Sequence, residues 1–205
     1  MIDSDAAIAA AYDARAVEYI EIAGSIDQME AADRGLIDQW REATPGRLLD
    51  AGCGPGQWSE FLHNSNRDVI GLDLSDEFLA AARSRYPHLR FDHGSLRDLP
   101  YEDASFGGIL AWYSLIHTPP EEIPAILHEF GRVLIPGGSL LIGFFDGQPR
   151  ESFSHAIAPA HFWSADSLEE LLANAGFTLT ATDHRPRTPD EVSQRAHGAV
   201  TSIKR

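Results

Sequence analysis

Leu48-Leu49-Asp50-Ala51-Gly52-Cys53-Gly54-Pro55-Gly56-Gln57-Trp58-Ser59 decides how this chain is read. A short apolar run ends in an acid. A glycine-dense turn follows, then a segment with the character of a helix start. About 20 residues further on, Asp68-Val69-Ile70-Gly71-Leu72-Asp73 gives a second apolar run that ends in a second acid. Strand, glycine turn, helix, strand and acid form the layout of a nucleotide-type cofactor pocket.

The rest of the chain repeats the alternation. Ser75 is placed to cap a helix carrying Phe78, Leu79 and Ala82, stopped by Pro87. Leu89–His93 and Gly107–Trp112 read as strands. Pro119-Pro120-Glu121-Glu122 opens a helix whose buried stripe runs from Ile123 to Leu134. Ser139–Phe145 is continuously apolar, so it reads as a strand buried on both faces. Residues 146–163 are irregular and rich in aromatics and histidine. Ser167-Leu168-Glu169-Glu170 reads as a capping box for a helix ended by Gly176. Phe177–Asp183 and a strand near Ala196–Ile203 close the chain, joined through a turn at Arg185–Pro189.

Five strand–helix alternations predict an α/β fold, a Rossmann-like three-layer sandwich. The sheet is mostly parallel and seven-stranded, with a C-terminal antiparallel hairpin. Ligands of such sheets bind beyond the carboxyl ends of the strands, where strand order reverses. Residues 1–205 are expected to form one domain, with 1–43 as an N-terminal helical lid. That lid reads as two helices, Ser4–Ala23 and one capped by Ser25. Tyr12 and Tyr19 lie two turns apart on one helical face, Tyr12 a candidate for the substrate and Tyr19 for the cofactor.

Composition narrows the partners. The 205 residues carry a formal net charge of -15, which disfavours polyanions such as nucleic acid. Only one residue, Lys204, is lysine, so no P-loop lysine is available. The single Cys53 excludes an intrachain disulfide and a multi-cysteine metal site. His155 and His161 lack the tight spacing of metal ligands, and no metal is expected. The acidic start and the absence of a long apolar run predict no signal peptide and no membrane partner. A cytoplasmic monomer or homodimer is expected.

The glycine turn separates two cofactor classes. A dinucleotide site needs Gly-x-Gly-x-x-Gly/Ala. Here the glycines are 52, 54 and 56, and position 57 is Gln. Asp50, immediately before the turn, would repel a pyrophosphate and attract a cation. Asp73 can accept from ribose hydroxyls in either class.

These segments resemble class I S-adenosylmethionine-dependent methyltransferases. Leu48–Gly56 is similar to their first motif, and Leu72-Asp73-Leu74-Ser75 to the acid after their second strand. Asp98–Phe106 resembles their third-strand loop, and Arg132–Gly138 the element before strand five. The resemblance implies S-adenosylmethionine as cofactor and S-adenosylhomocysteine as product. It implies that the backbone at Gly52 and Gly54 passes the methionine moiety, with Asp50 near the ammonium. Asp73 would hold the ribose hydroxyls, Leu74 would lie against the adenine, and Ser95 and Leu96 would edge it from the other side. Ala111 would face the cofactor. Two positions depart from the family pattern: Ser95 stands where an Asp is frequent, and Gly107-Gly108 where strand four usually has an Asp.

The function expected is methyl transfer to a small-molecule acceptor by direct displacement. Alignment and desolvation carry such a reaction, and a base is needed only where the acceptor must lose a proton. His117 is the candidate base. Trp112 and Tyr113, where base-methylating enzymes have Asn/Asp-Pro-Pro-aromatic, are candidate substrate contacts. The alternatives are an NAD(P)-dependent oxidoreductase and a non-catalytic S-adenosylmethionine-binding protein.

Overall fold

The computed structural model describes residues 4–63, 67–186 and 195–205. Strands are β1 Leu48–Ala51, β2 Val69–Asp73, β3 Arg90–His93, β4 Phe106–Trp112, β5 Leu134–Asp146, β6 Ser152–Phe153, β7 Ala160–His161, β8 Phe177–Arg185 and β9 Ala196–Lys204. Helices are α1 Ser4–Asp13, α2 Ala16–Ala23, α3 Ala31–Ala43, α4 Gln57–His63, α5 Asp76–Arg85, α6 Ile123–Val133 and α7 Ala165–Asn174.

Seven strands form one sheet in the order β3-β2-β1-β4-β5-β9-β8. The first five are parallel, and β9 runs antiparallel to both β5 and β8. This is the expected sandwich with its C-terminal antiparallel pair. Strand order reverses between β1 and β4, which opens a crevice beyond their carboxyl ends.

Period-two alternation sorts the core into two layers. Leu49, Ile109, Leu140 and Ile142 point to one face, where α6 buries Ile126, Leu127 and Phe130 and α7 buries Leu168 and Leu172. Leu48, Leu110 and Leu141 point to the other, against Ile37 and Trp40 of α3 and Trp58 and Leu62 of α4. Each fully buried leucine or isoleucine is worth about 1.5–3 kcal/mol relative to exposure. Together the two layers fix the register of the central strands, because a one-residue slip would exchange the faces.

Gly107 explains one departure from the family pattern. A Cβ there would sit 1.8 Å from the carbonyl oxygen of Pro45. The loop from α3 into β1 crosses the start of β4 so closely that no side chain fits.

Four local readings change. The expected Ser4–Ala23 helix breaks at Ala14-Arg15 into α1 and α2, with Arg15 at φ -124° and ψ 14°. The break lets Tyr12 and Tyr19 both reach Phe78, at ring separations of 5.4 and 5.1 Å. Ser25 caps a 3-10 turn, Ile26–Gln28, and not α3, because Gln28 Oε1 returns to the Ser25 N–H at 2.9 Å and closes a single turn. The capping box of α7 is Ser164 with Ser167, three residues earlier than expected, with reciprocal bonds of 3.2 and 3.1 Å. The 146–163 stretch holds a short antiparallel ribbon, β6 with β7. Of the expected turn at Arg185–Pro189, residues 187–189 lie outside the described residues. Among the described residues no helix is long and apolar enough to cross a membrane.

Candidate functional site

A cavity of about 270 Å³ lies at the carboxyl ends of β1, β2 and β4, with α1 forming one wall. Its lining includes Tyr12, Tyr19, Gly52, Gly54, Asp73 and Leu74. Leu96, Trp112, Tyr113 and His117 line it as well. Three of the sequence-derived candidates, Asp50, Ser95 and Ala111, do not.

Asp73 ends β2, and two backbone donors hold its carboxylate. Gly54 N–H donates to Oδ2 at 2.8 Å, and Ser75 N–H to Oδ1 at 2.9 Å. Burial pushes its carboxyl up, and the Ser75, Gly54 and Leu74 backbone bonds pull it back. Gly54 and Ser75 occupy one position on each oxygen, and a carboxylate offers about four, which leaves acceptor capacity for a ligand hydroxyl.

The glycine turn is shaped by close approach. Gly52 has φ +81°, and a Cβ there would meet Ser114 Cβ at 2.3 Å. Gly52 N–H and Cys53 N–H both donate to the Leu72 carbonyl, at 2.8 and 3.0 Å. The turn is thus pinned between β2 and the segment after β4.

Asp50 sits behind this turn at 1% exposure. Its Oδ2 accepts a 2.6 Å bond from Ser59 Oγ of α4. Burial pushes its carboxyl up to about 7, partly offset by Ser59. Ala111 is likewise fully buried, within the sheet. The Ser95 hydroxyl is directed to the Asp5 carboxylate and accepts from Arg97 N–H at 3.0 Å.

The acceptor side is aromatic. Tyr12 lies edge-on to Tyr19 and to His117, at 6.1 and 5.6 Å. Burial raises both tyrosine hydroxyls, Tyr19 to about 12, and Asp73 adds to each shift. They remain protonated and act as donors. Nδ1 of His117 lies 2.9 Å from the Pro159 carbonyl. A carbonyl only accepts, so Nδ1 carries the proton and Nε2 holds a lone pair. That Nε2 is buried and has no hydrogen-bond partner. Burial lowers the His117 pKa against the opposing Pro159 bond, so the ring is neutral near pH 7. Tyr113 has φ 56°, a strained conformation for an aromatic residue, and its hydroxyl lies 2.5 Å from His197 Nδ1.

Sequence reading missed Asp5, Phe78, Arg97 and Ser114 in the wall, and His197 behind it. Asp5 precedes Ala9 and Tyr12 at helical steps of four and three, so its face was legible. His197 pairs with Tyr113 across 84 residues and leaves no local signal.

The cavity suits an adenosine cofactor with a cationic end. Its wall carries the carboxylates of Asp5 and Asp73 and a single arginine, Arg97, which is bridged to Asp5 and Glu122. Among the described residues that line the cavity there is no lysine and no unbridged arginine of the kind a pyrophosphate would require. Asp73 offers acceptors for a ribose diol.

Comparison with known proteins agrees. A methyltransferase-domain family model matches residues 48–138. A malonyl-[acyl-carrier protein] O-methyltransferase of Erwinia pyrifoliae is 34% identical over 186 residues, covering 85% of this chain and 69% of that protein. The chain belongs to the S-adenosylmethionine-dependent methyltransferase family. A probable S-adenosylmethionine-dependent methyltransferase of Mycolicibacterium smegmatis is 34% identical over 141 residues, 66% of this chain and 53% of its own length. The chain spans about half the length of several such curated relatives. The fold is shared with the solved [4+2]-cyclase SpnF, at a TM-score of 0.81 and 20% identity over 98% of this chain and 96% of that one. The family's cofactor, S-adenosylmethionine, is the cofactor of this chain.

Proposed function

We propose that this protein transfers the methyl group of S-adenosylmethionine to a small-molecule acceptor, with Asp73 and the Gly52–Gly54 backbone seating the cofactor. The bound cofactor supplies a methyl group already activated on a sulfonium. The observation that carries the reading is the Asp73 carboxylate, held by Gly54 and Ser75 N–H groups in the wall of a cavity whose one arginine among the described residues, Arg97, is bridged to acids. Sharing a fold with a cyclase is no argument for methyl transfer, so the reading rests on the site.

The acceptor side follows from the second cavity, of about 330 Å³, which shares Tyr19, Phe145 and His155 with the first. Arg15, Ile22, Ile157 and Arg195 line its far side. An acceptor lying there reaches the first cavity past these three shared side chains. Neutral His117, with its unpartnered Nε2, takes the proton from an acceptor that carries one. An acceptor already ionised needs no base. An oxygen acceptor is supported by the Erwinia relative, whose name specifies O-methylation. Of the expected 1–43 lid, α1 and α2 take that role, supplying Asp5, Ile8, Ala9, Tyr12 and Tyr19 to the wall, whereas α3 packs Ile37 and Trp40 against the sheet.

The test is a screen of small phenols, carboxylates and amines with methyl-labelled S-adenosylmethionine. Labelled product that falls with His117→Ala supports the reading. Tight cofactor binding with no transfer across the screen favours a binding protein without turnover.

A further inference from the structure

Two neutral histidines meet where the cofactor cavity joins the second one. His117 lines the first cavity, and His155 lines both. Their rings lie edge-on with centroids 5.0 Å apart. The backbone selects a different tautomer for each. His117 donates from Nδ1 to the Pro159 carbonyl, so its Nε2 holds a lone pair, and that buried atom has no partner among the described residues. His155 does the reverse: its Nδ1 accepts from the Ile157 N–H at 3.4 Å. Burial lowers the His155 ring to about 4, with His117, Arg195 and Arg15 adding to the shift. The ring is therefore neutral near pH 7, and its one proton sits on Nε2.

With Nδ1 of His155 turned to the backbone, its Nε2–H edge is the one presented at the junction of the cavities. Side by side, the two rings offer one acceptor and one donor. A hydroxyl complements both, because it has one proton to give and two lone pairs. One lone pair accepts from His155 while the other attacks the methyl group. An arylamine nitrogen has a single lone pair, drawn into the ring and needed for the attack itself, so it has none to spare for His155. An ionised carboxylate brings no proton for His117.

We propose that His117 and His155 form a matched acceptor–donor pair that selects a phenol-class hydroxyl as the methyl acceptor, with His155 a second catalytic residue. This rests on the methyl-transfer reading above. A phenol is as acidic as a tyrosine side chain, at about 10, which puts its proton within reach of an imidazole base. In the step, the O–H bond breaks and its proton goes to His117 Nε2. The oxygen lone pair forms the O–CH₃ bond as the S–CH₃ bond breaks, and that electron pair stays on sulfur. His155 Nε2–H steadies the charge that builds on the oxygen before the methyl group arrives. His117 returns its proton to solvent after the product leaves.

The experiment uses p-cresol and p-toluidine, two probes of one shape, with the full chain. In calorimetric titration of the S-adenosylhomocysteine complex, His155→Phe should weaken p-cresol by about three- to tenfold and leave p-toluidine unchanged. Phenylalanine keeps a ring against Phe145, where the imidazole now lies with centroids 6.0 Å apart. With methyl-labelled S-adenosylmethionine, wild type should methylate p-cresol about tenfold faster than p-toluidine, or more. His155→Phe should bring that ratio to near unity, and His155→Gln, whose amide keeps a donor, should restore part of it. Equal wild-type rates for the two probes overturn this inference alone, as does a preference that survives His155→Phe. So does a failure to methylate p-cresol by a chain that methylates other acceptors. Cofactor binding with transfer to no acceptor overturns the methyl-transfer reading, and this inference with it.

Discussion

The backbone N–H of Gly54 donates a 2.8 Å hydrogen bond to Oδ2 of Asp73, tying the glycine turn after β1 to the end of β2. Two motifs separated by 19 residues are therefore one binding element. Asp73→Asn should break it, because an amide offers one acceptor oxygen where the carboxylate offers two. Hydrogen bonds to a charged group are worth about 1.5–3 kcal/mol each, so losing the ribose pair should weaken S-adenosylhomocysteine binding by about 100-fold or more. Isothermal titration checks this, and a loss under about threefold would contradict the role.

Asp50 and His155 should give opposite pH dependences. The folded-state carboxyl of Asp50 is raised to about 7, so its stabilising contribution is full below its ordinary value of 3.8 and is lost as pH rises through about 7. Asp50→Asn removes the cost of the buried charge, on the order of 4 kcal/mol at pH 8 from a shift of this size. Its Tm should exceed wild type at pH 8, by less at pH 5, and converge with it only below about pH 3.8. His155 is lowered to about 4, chiefly by burial. Its contribution is full above its ordinary value of 6.5 and is lost as pH falls through about 4. His155→Phe should flatten the acid side of the Tm profile.

The neutral state of His117 fixes the expected pH–rate profile. Its pKa lies below 6.5, so the acid limb of kcat should fall below that pH and leave a plateau through neutrality. For an acceptor that must lose a proton, His117→Ala should lower kcat by about 100-fold or more, with S-adenosylhomocysteine affinity unchanged. An acid limb that persists unaltered in the variant would assign the proton to another group.

Most of the fold was legible because its signals are local. The apolar runs at Leu48–Ala51 and Val69–Leu72 gave the strands, and Gly52, Gly54 and Gly56 gave the turn between β1 and α4. The wall of the cofactor cavity was legible where one motif supplies it, as at Asp73 and Leu74. What escaped depends on distant partners. The break at Ala14-Arg15 follows from Phe78, more than 60 residues away, and the position of Asp5 follows from Ser95 and Arg97. The resemblance put Asp50 only near the ammonium, and strand alternation does not say which way a terminal acid turns. Here it turns to Ser59 of α4.

Gly107→Ala should test packing apart from binding. Its Cβ would collide with a backbone oxygen at 1.8 Å, which no rotamer change relieves. The expected loss is about 1–3 kcal/mol or more, with Tm falling by about 2–4 °C per kcal/mol. Scanning calorimetry measures it. A variant as stable as wild type would show that the Pro45 loop moves freely.

The central claim is that the cavity between β1, β2 and β4 seats a phosphate-free adenosine cofactor with a cationic end. The most direct measurement is calorimetric titration of the intact chain with S-adenosylhomocysteine and, separately, with NAD⁺. The account predicts saturable binding of one S-adenosylhomocysteine per chain and no heat from NAD⁺. Binding of NAD⁺ in place of S-adenosylhomocysteine would contradict it.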